Sequence, residues 1–438
     1  MPSLRGLLPS FRPCINRFNG VILLTDKRTE ERKEYMIINE LLLDQFYDNL
    51  DERSQGALDH TVAEVVRIKE RGGKIVVVTG SGPNLHEGVT TLIAELIRLE
   101  IVDGVTTSSA VIAHELAGTL DRVRMCDAAQ FDLDKQKMPR GNLFEFTVMS
   151  PDLLEELREE MILDEALLEK GRTAAGNFVI KAAGNMAYPM GLRTEMIAHD
   201  ILHIARQFGL TFEEVAGAGC DERTMLGAAA KRGIPILVTL PQIVGGGHVG
   251  LAIGDSIPIS RRSSLIAQMM GSAEMIIESA VALTQEIHDG PFETYTGHGI
   301  WSWWQGLPTY RLEEKTLVRI DLDENLRKAQ DLQRDSAMIQ EAITKGLPKT
   351  KIAKIPFRME MSAFSRLEKS IPIIGDIGEV WPLVAYRAAK RLGRDLSFIS
   401  YKQETEEGKK MREWIVDHIK PFNKKKMLSH MDLFARTK

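Results

Sequence analysis

The chain has 438 residues, 44% of them hydrophobic, and a formal net charge of −5, enough for a large core and too acidic to suggest a nucleic-acid partner. No apolar run approaches the ~20 residues of a membrane span. The three cysteines (Cys14, Cys126, Cys220) form no C-x-x-C pair or disulfide framework, and the stretch MPSLRGLLPSFRPCINRFNG lacks the apolar core and cleavage site of a secretory signal, so a cytoplasmic location is expected.

In chain order, residues 1–45 read as an N-terminal arm with a lead-in strand at 20–24, and 46–438 as a single domain. Residues 40–71 read as helical with a polar break near Asp51. Residues 75–78 are a β-branched apolar run suited to a buried parallel strand. The turn TGSGPNLHEG and a helix over 90–99 follow, then a strand and polar turn in VDGVTTSSAVIAHEL. Residues 125–137 read as a loop, and Ser150 with Pro151 opens a helix. A strand at 177–182, a helix at 194–208 and a helix at 223–232 closed by Gly233 come next. Strands are expected at 234–240, 248–253, 273–279, 316–322 and 371–374, with a charged, mostly helical insertion over 323–365 and a helical, Lys-rich end. This alternation predicts an α/β fold, a mainly parallel sheet with helices on both faces.

Gly80, Ser81 and Gly82 directly after an apolar strand form a turn feeding a helix, and Thr106, Thr107 and Ser108 form a second one. Free N–H groups and a positive dipole end suit a phosphate or carboxylate. Two such turns in succession suggest a sheet edge where a nucleotide binds. The spacing is not G-x-G-x-x-G, and a glycine turn after a strand also serves as a plain connection.

Several segments in order resemble the deoxyhypusine synthases. These are TGSGPNLHEG, VDGVTTSSAVIAHEL, RTMLGAAAKRGIPILVTLP, RRSSLIAQMMGSAEMIIES and SIPIIGDIGEVWPLVAYRAAKR, spread over residues 74–395. The layout is similar to that of the related NAD-dependent ornithine cyclodeaminases, whose "VHTG", "VHDIE" and "CVDIN" elements resemble residues 85–88, 113–115 and 317–321. The resemblance implies a Rossmann-like domain with NAD at the strand ends and a homo-oligomer acting on a small molecule. Carried over residue by residue, the implied cofactor contacts are Ser81, Asn84, Glu87, Thr106, Thr107, Ser108, Gly254, Asp255, Ser256, Ser279, Asp289, Gly375, Asp376 and Ile377. Only Gly254 matches the family's Gly-Gly-Gly turn in identity. Asp376 is attractive physically, because a strand-end carboxylate can accept both ribose hydroxyls. For each serine and threonine the alternative is a helix cap.

The departures from the family are chemical. The loop LPQIVGGGHVG carries no carboxylate for a polyamine cation, and TGHGIWSWWQG has no imine-forming lysine. Lys315, downstream, reads as a surface residue. Genuine deoxyhypusine synthesis is therefore not expected. Candidate acid/base groups are His248 in a glycine loop that could close on substrate, and His298 beside Trp301, whose indole could wall a planar substrate. Cys220 could attack an imine or be a small buried thiol. Lys181 could form an imine or cap a solvated strand end. Arg261 and Arg262 could fork a substrate carboxylate. His199 and His203 share a helical face at metal-ligand spacing but lack H-E-x-x-H, so no metal site is assigned. The function expected is an NAD-dependent enzyme acting on a C–N bond of an amine or amino acid by transient hydride transfer and an imine. The alternative is an NAD- or ligand-binding protein that kept the fold without its catalysis.

Overall fold

A computed structural model describes residues 38–134, 136, 142–279, 293–294, 303–304, 307–308, 310–312, 314–347, 354–355 and 367–437. Residues 36–438 form one compact unit; the other unit, 1–35, lies outside the described residues, as does the expected strand at 20–24. Among the described residues, no helix is long and apolar enough to cross a membrane.

The first helices, α1 (Glu40–Asp48) and α2 (Glu52–Glu70), break where expected, because Asp51 caps the second by accepting from the Ser54 N–H. Strand β1 (Ile75–Val78) leads through α3 (Ser81–His86) and α4 (Val89–Arg98) to β2 (Gly104–Thr107) and α5 (Ser109–Leu116). An excursion follows: β3 (Leu120–Asp127), β4 (Leu143–Thr147), α6 (Pro151–Glu160), α7 (Glu165–Thr173), β5 (Gly176–Ala182), α8 (Met190–Phe208), α9 (Phe212–Gly219) and α10 (Met225–Arg232). The chain then returns through β6 (Ile236–Val238), α11 (Gly247–Ser256), α12 (Ile259–Ser272) and β7 (Met275–Glu278). Beyond it lie β8 (Thr316–Asp321), α13 (Asn325–Asp335), α14 (Ala337–Thr344), β9 (Ser370–Ile374), α15 (Ile377–Arg391), α16 (Glu406–His418) and α17 (Lys424–Thr437). The two helices α13 and α14 form the described part of the charged insertion.

Six strands make one parallel sheet in the order β9-β8-β7-β1-β2-β6. Its interior needs apolar side chains on both faces, and β1 supplies them. Ile75 and Val77 enter one buried cluster while Val76 and Val78 enter another. Helices therefore cover both faces, as the alternation in the sequence predicts. The chain builds outward from β1 through β2 to β6, then restarts on the other side with β7. The direction reverses between β1 and β7, and the crevice at such a switch point is where open α/β sheets bind ligands.

Two findings correct the expected layout. The 125–137 segment is not all loop: β3 pairs antiparallel with both β4 and β5 in a separate three-stranded sheet. The strand expected at 248–253 is helix α11 instead. Gly246, before it, lies so close to α5 that a Cβ would meet the Ser109 carbonyl oxygen at 2.7 Å. The glycine run is thus packed against α5, not a free loop.

Candidate functional site

The site is built at the switch point. Helix α3 begins directly after β1, and its Asn84, 1% exposed, ties the two sides of the reversal together. Asn84 Oδ1 accepts from Thr79 Oγ1 at 3.1 Å and from Ser279 Oγ at 3.0 Å, and its Nδ2 donates to the carbonyls of Gly80 and Ser279. Ser279 in turn donates its N–H to Val78 O at 2.9 Å. The structure thus brings Asn84 and Ser279 together at the switch point, with Asn84 as a clamp between strands. Gly88 ends α3 at φ 69°, a conformation that glycine enters at little cost.

Beside it, the end of β2 carries Thr106 and Thr107, both fully buried, with hydroxyls that find no hydrogen-bond partner. Thr79 N–H donates to Thr106 O, which places the two strand ends side by side. The two hydroxyls face opposite sides of the sheet and stay open to a polar ligand, as do those of Thr90, Thr91, Thr119, Thr147 and Thr239. Ser108 is used as a helix cap, accepting from Val111 N–H at 3.3 Å.

On the far side, Asp376 caps α15, accepting from Gly378 N–H at 2.8 Å, with Lys402 Nζ at 3.7 Å. Gly375 and Ile377 flank it at the end of β9 and the start of α15. Glu87 accepts from Gln403 N–H at 2.7 Å; burial pushes its carboxyl up to about 7, and the nearby Asp376 charge adds to this. The turns after β1 and β9 therefore meet through Glu87 and Asp376, a pair with acceptors for ribose hydroxyls.

Other expected site residues stand elsewhere. Gly254, Asp255 and Ser256 close α11, so they are not a turn after a strand. They occupy a helix C-terminus, whose dipole end repels phosphate. Arg262 is not available to substrate. Its guanidinium is fully buried, paired with both Glu213 oxygens and donating to Ile253 O at 3.1 Å. Arg261 is exposed and donates to Gly209 O. Cys220 is fully buried, and burial, reinforced by Glu115, pushes its thiol well above the ordinary range, so it is no nucleophile. His248 is exposed on the first turn of α11, its N–H bonded to Glu195 and its ring 6.5 Å from that of His199. No group of three or more His, Cys, Asp or Glu side chains that could hold a metal ion occurs among the described residues. Asp289, His298 and Trp301 lie outside the described residues. Lys181 is ion-paired with Glu145 at 2.6 Å. Lys315 is a correction as well: it is buried, and its ammonium donates to the carbonyls of Gly271 and Ala273.

Sequence reasoning passed over Glu115 and Asp121. Both are buried, and burial pushes each carboxyl up to about 7. Glu115 accepts the Met225 and Leu226 N–H groups at the start of α10, and Asp121 accepts the Gly184 N–H. Together with Glu87 they set a pH dependence. A carboxyl raised in the folded state contributes stability that is fully present below its unfolded value, 4.5 or 3.8, and is lost as pH rises through about 7. His86 and His114, lowered mainly by burial, act oppositely below 6.5. Three carboxyls outweigh two histidines between about pH 6 and about pH 8, so the melting temperature should be higher at the lower value. Differential scanning fluorimetry checks this; a higher melting temperature at about pH 8 refutes it.

The fold and crevice define a doubly wound α/β protein with an incomplete set of polar partners at its strand ends. No family model matches the sequence, and no curated protein matches it. Among solved structures it is similar to a conserved candidate LOR/SDH protein from Methanococcus maripaludis S2, at 10% identity over 78% of this chain and 71% of that one, with a TM-score of 0.36. It is similar to AgrE in a ternary complex with ornithine and NAD+, at 12% identity over 78% of this chain, with a TM-score of 0.38; the match spans 34% of the AgrE chain. A candidate deoxyhypusine synthase from Entamoeba histolytica aligns at 9% identity over 83% of this chain and 97% of that one, with a TM-score of 0.38.

Proposed function

We propose that this protein binds NAD at the β1–β7 switch point and acts on a C–N bond of an amine or amino-acid-type small molecule. The observation that carries the reading is the Asn84 clamp joining the ends of β1 and β7 at the switch point, beside the unpartnered hydroxyls at the end of β2. Residues that fit the group are these two threonines and the backbone of Ser81 at the α3 start, with Glu87 and Asp376 toward a ribose. When bound, NAD would supply a hydride acceptor; the chain's own part would be to hold the amine-bearing carbon beside it and to take the proton lost from the nitrogen. His248 and His298 are the proposed acid/base candidates, with Trp301 beside the substrate. The protein works as a homo-oligomer in the cytoplasm in this reading.

The test is calorimetric titration of NAD into the wild type and the T106V/T107V double variant. Valine keeps the shape and removes only hydroxyls that have no partner, so folding is expected to be unharmed. Wild type should bind, and the variant should bind about tenfold more weakly, two lost hydrogen bonds at about 1 kcal/mol each being partly offset. Absence of wild-type binding, or equal affinities, overturns the reading.

The sealed Cys220 thiol and the locked Arg262 favour a second reading, a binding protein without catalysis. Single-turnover hydride transfer to bound NAD with amino-acid substrates separates the two.

A further inference from the structure

A second cluster stands at the opposite ends of α3 and α5, where they meet the antiparallel sheet and α16. Arg412, on α16, has a partly buried guanidinium. Its Nη2 donates to the Ile180 carbonyl and meets His86 Nδ1 at 3.3 Å. Its Nε is buried without a partner, and it makes no ion pair among the described residues. A guanidinium only donates, so the neutral His86 ring carries its proton on Nε2. His114 Nδ1 faces the Ala183 carbonyl at 2.7 Å, so that nitrogen is the donor and Nε2 is bare when the ring is neutral. Lys181 lies close enough to both histidines to disfavour their protonation.

Glu87 and Glu413 lie near enough to favour the Arg412 charge, but neither bonds it. Glu145 is paired with Lys181, and Glu413 is paired with Arg122. Asp121, the cross-strand partner of Lys181, accepts the Gly184 N–H, and Glu87 accepts the Gln403 N–H through one oxygen. A partly buried cation whose hydrogen-bond partners are all neutral gains from an anion that bonds it directly.

We propose that Arg412, His86, His114 and Lys181 form a subsite for a carboxylate, held by the edge of the Arg412 guanidinium that carries its unpartnered Nε. Its use as the anchor for the substrate's own carboxylate rests on the proposed function; the anion site itself does not. It replaces Arg262, which the core consumes, as the cationic fork of the protein. Arg412 on one helix and the histidines on two others would close on the anion together, and each ring would gain a neighbour that favours its protonated form.

The experiment uses full-length protein with 13C-labelled histidine, its His86 and His114 resonances assigned by H86Q and H114Q. Histidine titrations are recorded by NMR in malonate and in sodium chloride at matched ionic strength, with and without NAD. Malonate should raise the His86 and His114 titration midpoints by at least about 0.5 unit over chloride. The rise should vanish in R412Q. In R412K, which keeps the charge but not the fork, malonate should bind about fivefold more weakly. Should R412Q fail to fold, R412K carries the test alone. Equal shifts in chloride and malonate, or full malonate affinity in R412K, overturn the site. A malonate effect without NAD binding leaves the site standing while the dinucleotide reading falls; NAD binding without a malonate effect does the reverse.

Discussion

Replacing Glu213 by glutamine should destabilise the fold by about 3–5 kcal/mol, the cost of leaving one partner of a buried ion pair unanswered. Glu213 and Arg262 are both essentially inaccessible to water. The carboxylate holds two guanidinium nitrogens and also accepts the Val238 N–H at 2.9 Å. The guanidinium reaches Ile253 O and Ser256 Oγ in turn. One pair thus joins α9, α12, β6 and α11. Glutamine keeps the volume but offers one acceptor oxygen and an NH2 group that opposes the guanidinium. Urea denaturation followed by circular dichroism should show the midpoint fall. The double change E213L/R262M should recover most of it, because an apolar pair of similar volume removes the uncompensated charge. A single variant as stable as wild type would show that the pair is not what holds these elements together.

Asn84→Ala is expected to weaken NAD binding by about 10- to 100-fold and to lower the melting temperature together with it. The side chain is the direct bond between the turn after β1 and the end of β7. Its loss strands the hydroxyls of Thr79 and Ser279 and the carbonyls of Gly80 and Ser279. Buried groups left in that state cost about 1–3 kcal/mol each before relaxation. Asn84→Asp should be worse than alanine in stability at neutral pH, because it buries a charge and cannot donate to either carbonyl. Calorimetry and thermal melts on the same samples check both variants. Undiminished NAD binding in Asn84→Ala would place the cofactor away from this crevice.

The parallel sheet was legible because its strands are buried on both faces and so carry uninterrupted apolar runs: 75–78 and 275–278 are read directly. Helix ends were legible where the chemistry is local. Ser150 with Pro151 opens α6, and Gly233 at φ 66° closes α10. Residues 248–253 misled because Val249, Leu251 and Ile253 alternate like a strand. The same stretch also places Val249, Ala252 and Ile253 on one helical face, and those are the residues that are buried. The antiparallel sheet escaped notice because Asp121, Arg122 and Arg124 make β3 look solvated, as one face of such a sheet is.

Asn84, Ser279, Glu87 and Asp376 were named through the family resemblance, and the structure shows the hydrogen-bond partners that each of them has. Arg262 was misjudged because an arginine's partner, Glu213, stands 49 positions away. Lys315 was misjudged because it sits among charged neighbours, while the carbonyls that hold it come from the end of α12.

The crevice joins Asn84 to Ser279 across 195 positions of chain, so it cannot exist until most of the polypeptide has been made. Until β7 arrives, the emerging β1 keeps one edge of a fully apolar strand unpaired, a template for association with other chains. The arrangement that joins β1 to β7 at the centre of the sheet also exposes the growing chain to misassembly for as long as its second half is missing.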